Sequence, residues 1–197
     1  MVNIKIKSVI PLIIIVFILI TITGAYGSVK AGYRGVKTNF GAVTGNVLNE
    51  GLYFKIPFVQ EVIKINVQTK KTEIDADAAS KDLQTVNARV ALNYNVSTEK
   101  VADLYQKTGL EYEIKVIIPS LEEAVKSVTA EYTAEQLITK RTEVNSKIYT
   151  SIKEELKPYG IDVQQLNIVN FNFSPAFNAS IENKVTAEQN ADRKSVV

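Results

Sequence analysis

The sequence contains no histidine, no cysteine and no tryptophan. The first two gaps remove whole classes of chemistry: histidine general bases and triads, cysteine nucleophiles, imidazole or thiolate zinc sites, and disulfide frameworks. The lack of cysteine leaves the redox compartment open, because such a chain folds equally well inside or outside the cytosol. Excess charge is also scarce, with 23 Lys+Arg against 21 Asp+Glu. Lys5, Lys7 and Lys30, with no acid among the first 30 residues, account for that excess, so the remainder is close to neutral. Nucleic acid is therefore not an expected partner, since its binding needs a clustered basic stripe. A length of 197 residues has room for one ordinary domain with one self-sufficient core.

What the sequence does have is a long apolar run. From Ser8 to Val29 no residue is charged, and Val9 to Ile22 is nearly all Ile, Leu, Val and Phe. As a helix that segment measures about 33 Å, against a hydrocarbon core of about 30 Å. The expectation is a tail over 1–7 and one transmembrane helix over 8–29. A cleavable signal peptide is the alternative, because Lys5 and Lys7 precede the run and Ala25-Tyr26-Gly27 offers small residues around a cut. Lys30, Arg34 and Lys37 balance the charges on the other flank, so charge alone does not orient the segment.

Residues 33–96 read as strands. Val36, Thr38 and Phe40 alternate with Lys37 and Asn39, and Gly45-Asn46 reads as a turn. Leu52, Phe54 and Ile56 then form one face against Tyr53 and Lys55, until Pro57 stops the strand or makes it an edge. Ile63, Ile65 and Val67 follow, and the longest alternation runs from Val86 to Val96. The pattern predicts a half-buried antiparallel sheet with one wet face. Helical spacing begins after Ser97-Thr98, whose hydroxyls read as caps, and stops at Gly109. A second helical region over 110–131 is interrupted by Pro119, where a kink or break is expected. Thr133-Ala134-Glu135-Gln136 is a capping box opening a third helix with Leu137, Val144, Ile148, Ile152 and Leu156 on one face. Ile161 to Phe173 returns to strand, and Ser174-Pro175 opens a last helix carrying Phe177, Ile181 and Val185. The fold class is α+β.

Little of this supports catalysis. Glu73, Asp75, Asp77 and Asp82 form an acidic cluster, but Ala79 and Ser80 stand where a calcium loop needs a ligand and a glycine. A solvated strand and turn is the favoured reading. Ser127, Ser146 and Ser151 have no histidine partner, which leaves a Ser–Lys dyad as the one nucleophilic arrangement open to the sequence. Lys70-Lys71 reads as a solvent-facing pair, with acidic lipid as the other possibility.

Several stretches together resemble one family. Gly32-Tyr33-Arg34-Gly35-Val36 with Phe40-Gly41, then Glu50-Gly51-Leu52-Tyr53-Phe54-Lys55-Ile56-Pro57, resemble the opening hairpin of the SPFH or band 7 domain shared by stomatins, prohibitins and flotillins. Ser80-Lys81-Asp82-Leu83-Gln84-Thr85-Val86 is similar to that family's central motif. Glu131-Tyr132-Thr133-Ala134-Glu135-Gln136-Leu137 with Lys140-Arg141, followed by Phe173-Ser174-Pro175-Ala176-Phe177, looks prohibitin-like. The resemblance implies an SPFH domain over 30–173, with an antiparallel sheet and packed helices behind one N-terminal transmembrane helix. Residues 174–197 are then the start of a C-terminal helix whose coiled coil is cut short.

The function so implied is a non-enzymatic membrane scaffold that assembles into rings or cages and organises lipid and protein microdomains. In prohibitin-like members it also regulates a membrane-bound, ATP-dependent AAA-type metalloprotease. Membrane lipid, further copies of the chain and that protease are the implied partners; no cofactor, metal or catalytic residue is implied. The expected place is the cell membrane, with the amino terminus cytoplasmic and the domain extracytoplasmic; the mitochondrial inner membrane or a cytoplasmic domain are the alternatives. Tyr26, Tyr33, Phe54 and Phe58 are candidates for headgroup depth, although for Phe54 and Phe58 a place in the core is the favoured reading. Phe177, Ile181 and Val185 are candidates for contacts between copies. Two other functions stay open: a membrane-tethered serine hydrolase using a Ser–Lys dyad, and a secreted binding domain freed by signal cleavage.

Overall fold

The computed structural model describes residues 23–183 together with positions 11, 14–16 and 186. Among the described residues no helix is long and apolar enough to cross a membrane. The tail 1–7 and half of the expected span 8–29 lie outside them, as does nearly all of 184–197. At the end of that span Tyr26–Val29 form a strand rather than the expected helix, because they pair with a partner strand. Within 30–173, read from the sequence as one domain, the described residues gather into two compact units. One comprises the described part of Met1–Gln68 with Val96–Tyr112, the other Thr69–Asn95 with the described part of Glu113–Val197.

The first unit contains β1 (Tyr26–Val29), β2 (Tyr33–Asn39), β3 (Ala42–Leu48), β4 (Gly51–Phe54), β5 (Gln60–Asn66) and helix α1 (Val101–Thr108). Strands β1 and β4 pair antiparallel as a separate two-stranded ribbon, while β2 lies between β3 and β5, antiparallel to both. Helix α1 packs on β2 and β3; Val36, Thr38, Ile65, Val101 and Leu104 are buried. Gly45-Asn46 is not a turn but lies inside β3, where the pairing slips from Val36↔Val47 to Thr38↔Val43. Gly45 supplies the left-handed φ of 75° that this bulge requires, and Thr44 Oγ1 donates to the Lys37 carbonyl at 2.8 Å. Ser97 and Thr98 do not cap α1, which begins after Lys100 without a side-chain cap; Gly109, at φ 71°, does end it.

The second unit is built on β6 (Lys70–Ala79) and β7 (Thr85–Val96), paired antiparallel without a slip from Lys70↔Tyr94 to Ala79↔Thr85. Strand β8 (Ile161–Phe173) is the other neighbour of β7. One face of the hairpin, with Thr72, Ile74, Ala76, Val86, Ala88, Val90 and Leu92, is buried, and helix α2 (Ile118–Thr129) packs against β6. A π-helical turn over Glu113–Ile117 precedes α2, and Pro119 stands in its first turn. Pro119 therefore marks a change of helical spacing: it has no N–H to return to the preceding turn.

The third predicted helix divides at Lys140, whose φ of −108° and ψ of 29° are not helical, into α3 (Ala134–Thr139) and α4 (Arg141–Leu156). The capping box is present, with Thr133 and Gln136 exchanging both bonds. Past the break α4 packs on β8 and α2, burying Val144, Ile148, Ile152 and Leu156 completely. Arg141 Nη2 donates to the carbonyls of both Ile168 and Val169. In β8 the buried positions shift phase, from Ile161 and Val163 to Leu166 and Ile168, which is why both faces of that strand read as partly apolar. Residues 175–183 form a last helix, α5.

Candidate functional site

In the first unit the apolar face of β4 looks outward. Register pairs Tyr26 with Phe54 and Ser28 with Leu52, so these side chains share one face of the ribbon; Leu52 is 84% exposed and Phe54 78%. The other face carries Tyr53, which lies against Gly27: a Cβ added there would fall 2.5 Å from the tyrosine hydroxyl. That contact decides which side of the ribbon points to solvent. Beyond Phe54 the chain is tied back by the Lys55 amide, which donates to the Ala25 carbonyl at 2.7 Å. It then closes a tight turn in which the Gln60 amide donates to the Ile56 carbonyl at 2.9 Å. Phe58 sits within that turn at φ 64° and is 77% exposed.

The Phe40 amide donates to the Val59 carbonyl at 2.8 Å, bringing the β2–β3 turn beside this loop. Phe40 has left the strand and its apolar face: φ is 46° and the ring is 82% exposed. Lys37 reaches across to the Phe54 carbonyl. The result is an apolar end of the first unit, made of Tyr26, Phe40, Leu52, Phe54, Ile56 and Phe58, at the place where the described chain begins.

Of the four aromatic candidates, the structure brings Tyr26, Phe54 and Phe58 to this end, and neither phenylalanine is core. Tyr33 is not with them. It pairs with Asn66 at the far end of β2, about 20 Å along the strand from Phe40. Phe40, Leu52 and Ile56 join the surface without having been singled out, since their alternation fits a buried face as well as an exposed one.

In the second unit, the acidic residues are matched across the hairpin rather than gathered. Asp75 faces Arg89, which reaches it with two bonds of 2.7 and 3.1 Å, and Asp77 accepts from Asn87 at 2.8 Å. The Arg89 bond holds the Asp75 carboxyl below the usual carboxylate range. Asp82 is held low too, by the Ser80 hydroxyl and then the Ala134 amide. Among the described residues no group of three or more acids is placed to hold a metal ion.

Ser127, Ser146 and Ser151 do share a groove of about 510 Å³ between α2 and α4, together with Lys147. The lysine is the wrong partner for a nucleophile, however. Its ammonium donates to Glu131 at 2.7 Å and lies over the Tyr132 ring, and the Glu131 bond raises its pKa further. A dyad needs a lysine that gives up its proton near neutrality; this one keeps it, and the Ser146 hydroxyl is spent on the Thr142 carbonyl. The hydrolase alternative is not favoured.

Phe177 and Ile181 lie half-buried on α5, and the Phe177 ring stands 5.1 Å from Phe173, itself 6.3 Å from Phe171. Val185 lies outside the described residues.

The profile of the SPFH domain / Band 7 family matches residues 28–196. The chain belongs to that family. Among curated proteins, this SPFH chain is similar to Prohibitin-2 of Mus musculus, 32% identical over 168 residues, which is 84% of the chain and 56% of the relative. Prohibitin-1 of Saccharomyces cerevisiae is 31% identical over 166 residues, covering 84% of the chain and 58% of the relative. Prohibitin-2 of Dictyostelium discoideum is 30% identical over 167 residues. The chain thus spans little more than half the length of the relatives it matches. Within the SPFH family it is prohibitin-like, and the α+β arrangement of antiparallel sheets and packed helices agrees with that membership.

Proposed function

We propose that this chain is a membrane-anchored, non-enzymatic scaffold whose first unit rests on the bilayer through Tyr26, Phe40, Leu52, Phe54, Ile56 and Phe58. The observation that carries the reading is the position of this surface. Six large apolar side chains gather at the end where the continuous described stretch begins, directly after the uncharged residues 8–22 in the sequence. An exposed patch of this kind is costly in water and favourable at a headgroup–acyl boundary. A bilayer is the apolar phase that the uncharged run ahead of β1 would bring within reach.

The prohibitin likeness extends the proposal to assembly. Anchored subunits form rings or cages, with Phe177, Ile181 and Val185 of the C-terminal helix among the contacts between copies. The assembly organises lipid and regulates a membrane-bound AAA-type protease. The proposed topology is single-pass, with the amino terminus cytoplasmic and the domain extracytoplasmic. Confinement to a membrane favours such assembly, because weak pairwise contacts gain from high effective concentration.

The sequence offers a clean probe, since it has no tryptophan. Phe58→Trp in the full chain, reconstituted in vesicles with lipids brominated at graded depths, is expected to show strongest quenching from shallow bromines. Fluorescence untouched by any brominated lipid overturns membrane contact at this loop.

A further inference from the structure

The turn joining β6 and β7 is held unusually firmly for an exposed tip. The Ser80 hydroxyl is buried, donates to Asp82 Oδ1 at 2.6 Å and accepts the Gln84 amide at 3.0 Å. The Leu83 amide donates to the Ser80 carbonyl at 2.9 Å. Two further bonds tie the tip to the start of α3: the Lys81 amide to the Tyr132 carbonyl at 2.8 Å, and the Ala134 amide to Asp82 Oδ1 at 2.9 Å. At the centre of this brace stands Leu83 with φ 60°, 86% exposed. A bulky residue in the left-handed region is strained. Glycine or asparagine would hold the turn at less cost, and the leucine returns nothing through burial within the chain. Strain and exposure combined at a rigid tip indicate a contact outside the chain.

A matching hole exists on the same unit. Lys153, Lys157, Ile161, Asp162, Val163 and Gln164 line a pocket of about 350 Å³ where α4 ends and β8 begins. Ile161 and Val163 belong to the buried core, and the methylene stems of the two lysines can cover an inserted apolar group. Gln164 Nε2 donates to Asn95 Oδ1 at 2.6 Å, which puts the pocket at the end of β7 opposite the tip, roughly 33 Å away along the strand. Their charges also correspond. Lys81 and Asp82 immediately precede the leucine, while Lys157 and Asp162 line the pocket. Lys81, Lys157 and Asp162 have no ion pair among the described residues.

We infer that Leu83 of one subunit enters the Lys157–Asp162 pocket of the next, with Asp82 meeting Lys157 and Lys81 meeting Asp162. Knob and hole at opposite ends of one unit make the contact head-to-tail, the type that propagates into rings or filaments rather than closing as a dimer. This inference rests on the assembly reading above and names the partner as a second copy of the chain. The contact is small, as suits subunits already concentrated in a membrane.

The absence of native cysteine allows a direct test on the full-length protein in membranes. Leu83→Cys combined with Gln164→Cys, treated with a short bismaleimide, is expected to give a ladder of dimers, trimers and higher species, and neither single variant a ladder. Dimers from Leu83→Cys alone would make the contact tip-to-tip and overturn the proposal. Absence of a ladder from detergent-extracted particles of many subunits overturns it while the assembly reading stands; particles of monomer mass overturn both. Charge exchange gives an independent reading that leaves the turn's own hydrogen bonds intact. Lys81→Glu or Asp162→Lys alone, introduced into the cross-linkable pair, should lower ladder yield at least tenfold, and the two together should restore it. Unchanged yields in the single charge variants overturn the proposed pairing.

Discussion

Among the described residues three non-glycine residues, Phe40, Phe58 and Leu83, hold left-handed backbone, and each presents its side chain to solvent. The left-handed region costs an L-residue about 1–2 kcal/mol, less for asparagine. Phe58→Asn is therefore expected to leave the fold intact and to raise its stability by up to about 1 kcal/mol in urea unfolding. A loss of stability instead would mean that the ring packs within the chain. The Asp75–Arg89 pair makes a second residue-scale prediction. An unfolded aspartate titrates near pH 3.9, and the folded one lower. The stabilisation is then present above that pH and lost as pH falls through the folded value. The stability difference between the parent chain and Arg89→Gln should stay constant from about pH 7 to 5 and close below about 3.9. A difference that persists at the lowest pH would assign the arginine's effect to packing.

At the scale of elements, local signals and tertiary partners divide the work. The capping box at Thr133 satisfies two orphaned amides, and Thr133→Ala should cost about 1 kcal/mol in thermal or urea unfolding. Arg141 is the opposite case: it sits one residue past a helix break and bonds two successive carbonyls of a strand 27 and 28 residues away. Successive carbonyls of a regular strand point to opposite sides, so this double bond suits the stretch after which β8 no longer buries alternate residues. Arg141→Ala should cost about 1.5–3 kcal/mol, the range for a hydrogen bond to a charged group. Arg141→Lys should recover only part, because a single ammonium lacks the planar fork of donors. Full recovery by lysine would reduce the contact to simple charge.

For the whole molecule, the relevant quantities are where the apolar surface lies and how copies meet. The first unit concentrates exposed aromatic and aliphatic side chains at one end, whereas the exposed face of the β6–β7 hairpin carries the Lys71–Glu73 pair along β6 and, across the strands, the Asp75–Arg89 pair and the Asp77–Asn87 hydrogen bond. The assembly reading predicts that the full chain, extracted in mild detergent and weighed by mass photometry, forms particles of many subunits. Replacing Phe177 and Ile181 together by Ser should reduce that mass if the stripe on α5 contributes to the contacts, and an unchanged mass would remove α5 from the interface.

Much of this protein was decided by its sequence alone. The alternation from Val86 to Val96, the capping box at Thr133, the stripe from Val144 to Leu156 and the stop at Gly109 all obey rules that act within one or two turns or a few strand residues. The absence of histidine and cysteine excluded only the metal sites and nucleophiles built on those two residues, in the same direct way, and the order of the motifs indicated the family. Tertiary structure decided the rest. A period-2 pattern says that one face of β4 is apolar but not which way it points; Tyr53 lying on Gly27 turns Leu52 and Phe54 outward. Gly45-Asn46 reads as a turn from the sequence, and only β2 beside it makes it a bulge inside β3; Leu83 shows its backbone angle and exposure only in the fold. Local conformational preference is written residue by residue, whereas the direction of a face depends on what packs against the other side.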